Sequence, residues 1–161
     1  MERKHWVVLA IAAVLALGYA GFKEFRYSDP AECYACRRPI HAHSRTVAIV
    51  NGRARLFCCP TCAFSLHEQG KEPVRITQLA SFDSGAALLP GAAYIVKGSD
   101  VNMCARERAM IDADKQPATL HYDRCAPSMY AFPSKELAEA FAREHGGEVL
   151  PFQHLEAAFV K

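Results

Sequence analysis

The hydrophobic positions change period along the chain, and each change predicts a different element. From Trp6 to Phe22, "WVVLAIAAVLALGYAGF", the chain is apolar without interruption and carries no charge. That length is at the lower limit of the roughly 17 to 25 residues of a spanning helix and exceeds the roughly 7 to 15 residue core of a cleavable signal peptide. Lys23 to Ala31 is polar, contains Pro30 and predicts a linker. From Thr46 the pattern alternates, "TVAIV" then "RARLF", around Asn51-Gly52. Both residues of such a turn take positive φ, so an Asn-Gly pair between alternating runs predicts a hairpin. Thr61 then caps a helical segment, "CAFSLHEQG", that Gly70 ends, and "PVRITQL" supplies a third strand.

The second half repeats this order. "TLHYD" and "SMYAF" predict two strands around Arg124 to Pro127, and Ser134 caps a helix with Leu137, Ala138, Phe141 and Ala142 on one face. Gly146-Gly147 stops it, and "EVLPF" closes the unit. Superposition places Pro60-Thr61 on Pro133-Ser134, Phe57 on Tyr130 and Phe64 on Leu137. The predicted fold is α+β: an N-terminal transmembrane helix followed by two β-β-α-β units, with a further strand, "AAYIVKG", between them. The expected divisions are 1–22, a membrane anchor or signal sequence; 23–31, a linker; 32–82, a cysteine-rich unit; and 88–161, a second unit.

Composition narrows the function. The chain has 161 residues, 51% of them hydrophobic, which is enough for one ordinary core. A net charge of +2 with interspersed signs gives no basic stripe, so no nucleic-acid partner is expected. Arg3 and Lys4 precede the apolar run and stay cytoplasmic by the positive-inside rule, which puts the bulk of the chain outside the cytoplasm. The run's length favours an uncleaved anchor, and Gly18 and Ala20 leave room for cleavage. The expected location is therefore a bacterial inner membrane, crossed once, with the rest of the chain periplasmic.

Seven cysteines must then exist where disulfides are favoured. An odd count cannot pair completely, so either one thiol stays free or several are held by a metal. Cys33-Tyr-Ala-Cys36 is followed, after twenty-one residues, by Cys58-Cys59-Pro-Thr-Cys62. A C-x2-C turn aims two thiolates at one point, and a second pair completes four sulfurs around a tetrahedral ion. Cys62 lies at a helix N-terminus, whose partial positive charge favours thiolate. The candidate metal ligands are therefore Cys33, Cys36, Cys58, Cys59 and Cys62. His41 and His43 are nearby imidazoles, and Met103, Cys104, Cys125 and Met129 are possible auxiliaries with ordinary core or loop positions as the alternative. No catalytic residues and no nucleotide-binding loop are recognisable, so the chain does not read as an enzyme.

The span Cys36 to Cys62 resembles the TRASH domain, a cysteine module associated with heavy-metal sensing, trafficking and resistance. The span Ala93 to Phe152, with Ser99-Asp100-Val101, Ala138-Glu-Ala-Phe and Gly146-Gly147, is similar to the C-terminal part of NosL-type copper-binding proteins. Near the family's usual C-x-M pair this chain has Cys33-Tyr-Ala-Cys36, and Cys125 stands near a position where the family has a thioether. The resemblance implies a NosL/TRASH-like fold and a chaperone-type role in metal trafficking or metalloenzyme maturation, with a client metalloprotein as partner. Soft thiolates point to Cu(I), with zinc as the alternative. A structural-zinc interaction module and, less favoured, a thiol-disulfide oxidoreductase using a C-x2-C pair are the competing readings.

Overall fold

A hairpin begins the ordered part of the chain after the first cysteine pair. Thr46–Val50 (β1) alternates buried and half-buried residues, and its β-branched side chains suit a pleated strand. Asn51 and Gly52 take φ of 49° and 76°, and the chain returns as Arg53–Phe57 (β2), with Thr46 opposite Phe57. The expected turn is present. A computed structural model describes residues 11–19, 32–104 and 123–159, with only the backbone described at 158 and 159.

The first sheet has the order β2-β1-β3-β4, all antiparallel, where β3 is Val74–Ala80 and β4 is Ala87–Leu88. Residues 11–19 form a helix (α1), and Pro60–Gly70 forms α2 between β2 and β3. Pro60 opens α2, a position where its missing N–H costs nothing. Thr61 does not cap the helix as expected. The N-cap is Cys59, without a side-chain hydrogen bond, and the Thr61 hydroxyl donates instead to the Pro127 carbonyl at 2.7 Å.

The second sheet has the order β6-β5-β7, with β5 Tyr94–Lys97, β6 Met129–Phe132 and β7 Glu148–Pro151. Helix α3, Lys135–His145, lies between β6 and β7, capped by Ser134, whose side chain accepts from the Leu137 N–H. Both sheets thus have the first strand of the unit in the centre, flanked by the second and third. The central strand of the second unit is β5, read from sequence as a further strand between the two units. "TLHYD", given that role, lies outside the described residues except for Asp123, which is in a loop. Helices α2 and α3 have eleven residues each, with N-caps Cys59 and Ser134. Phe57 therefore matches Phe132 rather than Tyr130, and Cys58 and Cys62 fall on Pro133 and Leu137.

Gly147 is required where it stands. A Cβ there would come within 2.9 Å of the Lys97 carbonyl and of Val96 Cγ1, at a φ of 98°.

A helix not foreseen from sequence, Phe152–Phe159 (α4), closes the chain and buries Phe152 and Leu155. Phe152 stacks on Phe64 of α2, with centroids 6.2 Å apart. These residues share one core with Phe57, Leu79, Ile95 and Met129 and with the buried cysteines, so the two units are not separately cored. A second cluster joins Phe82, Tyr130, Phe132 and Phe141. On α3, Ala138 is buried and Phe141 and Ala142 are half-buried, but Leu137 is 43% exposed. Leu137 is at the edge of the apolar stripe, so its placement in the core from periodicity is corrected.

The described residues from 32 onward form one compact unit, separate from Met1–Pro30. Most of the apolar run and the linker lie outside the described residues; of the run, Ile11, Val14, Leu15, Leu17 and Tyr19 are exposed. Among the described residues no helix is long and apolar enough to cross a membrane.

These burials set two substitutions against each other. Phe152→Ala should lower the unfolding free energy by about 3 to 5 kcal/mol, the cost of deleting a large buried ring. Leu137→Ala should stay within about 0.5 kcal/mol. Urea denaturation of the two variants checks the difference, and equal losses would contradict the assignment of the core.

Candidate metal centre

Three segments of chain meet at the sulfurs. The first is the Cys33–Cys36 turn, closed by the Arg37 N–H donating to the Cys33 carbonyl at 3.0 Å and the Cys33 N–H to the Arg38 carbonyl at 2.8 Å. Arg37 takes a φ of 60° as the chain reverses. The Tyr34 N–H donates to the Leu56 carbonyl at 2.8 Å, and its ring meets Phe57 edge-on, which fixes the turn against β2. The second segment is the corner from β2 into α2, carrying Cys58, Cys59 and Cys62. The third is the loop before β6, carrying Cys125.

Cys58 Sγ is at the middle of the group. It lies 3.5 Å from Cys36, 3.9 Å from Cys59, 3.6 Å from Cys62 and 3.7 Å from Cys125, and Cys62 is 3.4 Å from Cys125. Cys33, Cys36, Cys58 and Cys62 have all their sulfurs within 4.8 Å of one another, and so do Cys58, Cys59, Cys62 and Cys125. A tetrahedron with metal–sulfur bonds of ~2.3 Å has edges of about 3.8 Å, so both sets fit one soft ion with little movement. All seven cysteines are free thiols, and Cys36 alone among them is half-buried.

Polar contacts hold the three segments in register. Arg38 grips the Asp123 carboxylate with both terminal nitrogens, at 2.6 and 2.7 Å, and also donates to the Cys104 carbonyl and to Cys125 Sγ, the latter at 3.4 Å. Asp123 in turn accepts from the Cys125 N–H at 2.8 Å. Burial pushes this carboxyl up, and the Arg38 guanidinium and the Cys125 N–H pull it further down, below the usual carboxylate range. Arg124 donates to the Ala35 carbonyl at 2.9 Å, tying the third segment to the first. A bidentate, partly buried pair of this kind fixes orientation as well as proximity.

The NosL family profile matches residues 24–160. The chain belongs to the NosL family. It is also similar to the HTH-type transcriptional repressor CutR of Bacillus subtilis (strain 168), at 27% identity over 121 residues, covering 74% of this chain and 54% of that protein. The chain thus spans about half the length of that curated relative. The crystal structure of the copper chaperone NosL from Shewanella denitrificans superposes with a TM-score of 0.48 at 16% identity, covering 79% of this chain and 90% of that one.

In this NosL-family chain the five cysteines singled out from sequence come together, and a sixth, Cys125, joins them. Its sequence signals were the odd cysteine count and its place near a family thioether; a lone thiol far from the C-x2-C pairs carries no spacing of its own. Cys104 borders the group, its Sγ 3.6 Å from the Cys58 carbonyl. His41 and His43 are exposed and stand in neither sulfur set, and His43 Nδ1 pairs with the Phe82 carbonyl at 2.8 Å. Met129 is buried in the main core, and Met103 packs on the aromatic cluster.

The thiols set one another's acidity. Cys104 pushes Cys125 up, but Cys36, Cys58 and Cys59 pull it further down, to about 2. Cys125 pushes Cys36 up, but Cys33, Cys58 and Cys62 bring it down to about 3. Cys58 goes the other way, held above the thiol range by Cys104, Cys125, Cys33 and Cys36, and Cys62 is held up by Cys125, Cys33 and Cys36. The central pair holds its protons more tightly because its S–H groups share hydrogen bonds with the sulfurs around them.

A cation bound at the centre must displace those protons. Loading the reduced chain with a soft metal near neutral pH should therefore release about two protons from Cys58 and Cys62, and apparent affinity should fall as pH is lowered. An indicator titration in weak buffer measures the release; metal uptake without it would contradict this assignment.

Proposed function

We propose that this chain is a copper carrier that binds Cu(I) through the sulfur cluster and passes it to a metalloprotein client. The observation that carries the reading is the excess of sulfur: six thiols in two sets of four that share Cys58 and Cys62, where a structural tetrahedral ion needs four. Thiolates are soft ligands and select Cu(I) among the ions available to them. Surplus neighbours allow a metal to change partners one bond at a time. The half-buried Cys36 is the natural point of transfer, because a client's ligand can reach it without opening the core. Family membership agrees with the reading, and no side chain takes a catalytic part in it.

Zinc is the second reading, and a specific observation favours it. Cys33, Cys36, Cys58 and Cys62 make a set of four thiols of the kind that closes a structural zinc site. In that reading Cys59 and Cys125 have no ligand role.

The apolar run behind Arg3 and Lys4 supports a membrane location for this carrier, with its sulfur-bearing part on the extracytoplasmic side. Protease added to spheroplasts should digest the sulfur-bearing part. Its protection until the cells are lysed would refute that location.

Competition with a chromogenic Cu(I) chelator tests the carrier itself. Cys62→Ser should weaken binding by about 100-fold or more, beyond the roughly 10- to 100-fold loss that follows removal of an outer-shell partner. Cys59→Ser should have a smaller effect. A reduced chain that ignores Cu(I), takes up one zinc ion and needs it to fold would establish the second reading instead.

A further inference from the structure

The two sulfur sets are not alternatives, because they share an edge. Cys58 and Cys62 belong to both; Cys33 and Cys36 complete one set, Cys59 and Cys125 the other. A thiolate sulfur has lone pairs enough to bind two metal ions at once. We propose that the cluster holds two Cu(I) ions, bridged by Cys58 and Cys62, with Cys33 and Cys36 as terminal ligands of one and Cys59 and Cys125 of the other. This rests on the carrier reading and adds to it the number and arrangement of the ions.

Distances favour the bridge. The shared edge, Cys58 Sγ to Cys62 Sγ, is 3.6 Å, so metal–sulfur bonds of ~2.3 Å on either side of it put the ions about 3 Å apart. At a fixed separation two dications repel four times as strongly as two monocations, which favours Cu(I) over Zn²⁺ in a shared site. Six thiolates and two monocations leave the cluster anionic, and two features of the fold oppose that charge. The Arg38 guanidinium lies 3.4 Å from Cys125 Sγ, and the N-terminus of α2, which carries Cys62, directs its partial positive charge at the bridge.

The arrangement also explains the adjacent pair Cys58-Cys59. Cys58, ending the strand, sits between the two sets, and Cys59, the helix N-cap, belongs only to the second. Consecutive residues at such a corner can serve different ions, because the chain turns between them.

Native mass spectrometry of the reduced 161-residue chain, titrated anaerobically with Cu(I), counts the ions, and Cu(I)–thiolate luminescence reports whether they are clustered. The expected saturated species carries two copper ions and emits. Cys33→Ser and Cys125→Ser, which remove terminal ligands from opposite ends, should each saturate at one copper and lose the emission. Saturation of the unmodified chain at one copper without emission, or at more than two, overturns the dinuclear assignment while the carrier reading stands. Binding of zinc but no copper overturns both.

Discussion

Six sulfurs packed as two sets of four that share Cys58 and Cys62 cannot all ionise unless a cation joins them. Two unit charges about 4 Å apart repel by on the order of 4 kcal/mol at an effective dielectric of 20, and each further thiolate adds to that. The folded chain meets this constraint by dividing the protons: Cys36 and Cys125 ionise readily, while Cys58 and Cys62, in the middle, retain theirs and donate. Any metal that enters replaces those protons and screens the surrounding thiolates. The apolar core beneath, with Phe57, Leu79 and Ile95 fully or almost fully buried, makes that exchange matter by limiting the water that could do the screening instead.

Bringing the sulfurs together depends on long-range contacts, not on local sequence alone. The first five thiols come from a turn and a strand-to-helix corner, tied together by the Tyr34 N–H bond to the Leu56 carbonyl. Cys125 arrives from the second unit, and Arg38 draws it in by gripping Asp123 two residues before it. The Thr61 bond to Pro127 and the Arg124 bond to Ala35 complete the join, so each of the three segments is tied to both of the others. The first unit supplies five of the six clustered thiols. The other supplies a sheet, a helix and a sixth thiol, with Pro133 and Leu137 at the positions that match Cys58 and Cys62.

Much of this arrangement was legible in the sequence where local physics decides it. Asn51-Gly52 fixed the hairpin, Ser134 fixed the start of α3, and the C-x2-C spacings with the adjacent Cys58 picked out five of the six clustered thiols. Other features depend on tertiary packing that no short window contains. The segment β5 reads as a strand, but its place at the centre of the second unit is hidden because its partners, β6 and β7, are distant in sequence. Leu137 shares the apolar stripe of α3 but falls at its rim, and α4 gains its helical state from burying Phe152 and Leu155 against the core. Thr61 has the chemistry of a cap, yet the Pro127 carbonyl of a remote loop takes its hydroxyl. Cys125 was missed as a principal ligand for the same reason: its partners lie more than sixty residues away.

The central claim is that the clustered thiols alone hold the soft ion. X-ray absorption at the copper K-edge on the Cu(I)-loaded chain tests it most directly. The account predicts a first shell made of sulfur alone, at three- or four-coordinate bond lengths. A shell containing nitrogen or oxygen would contradict it.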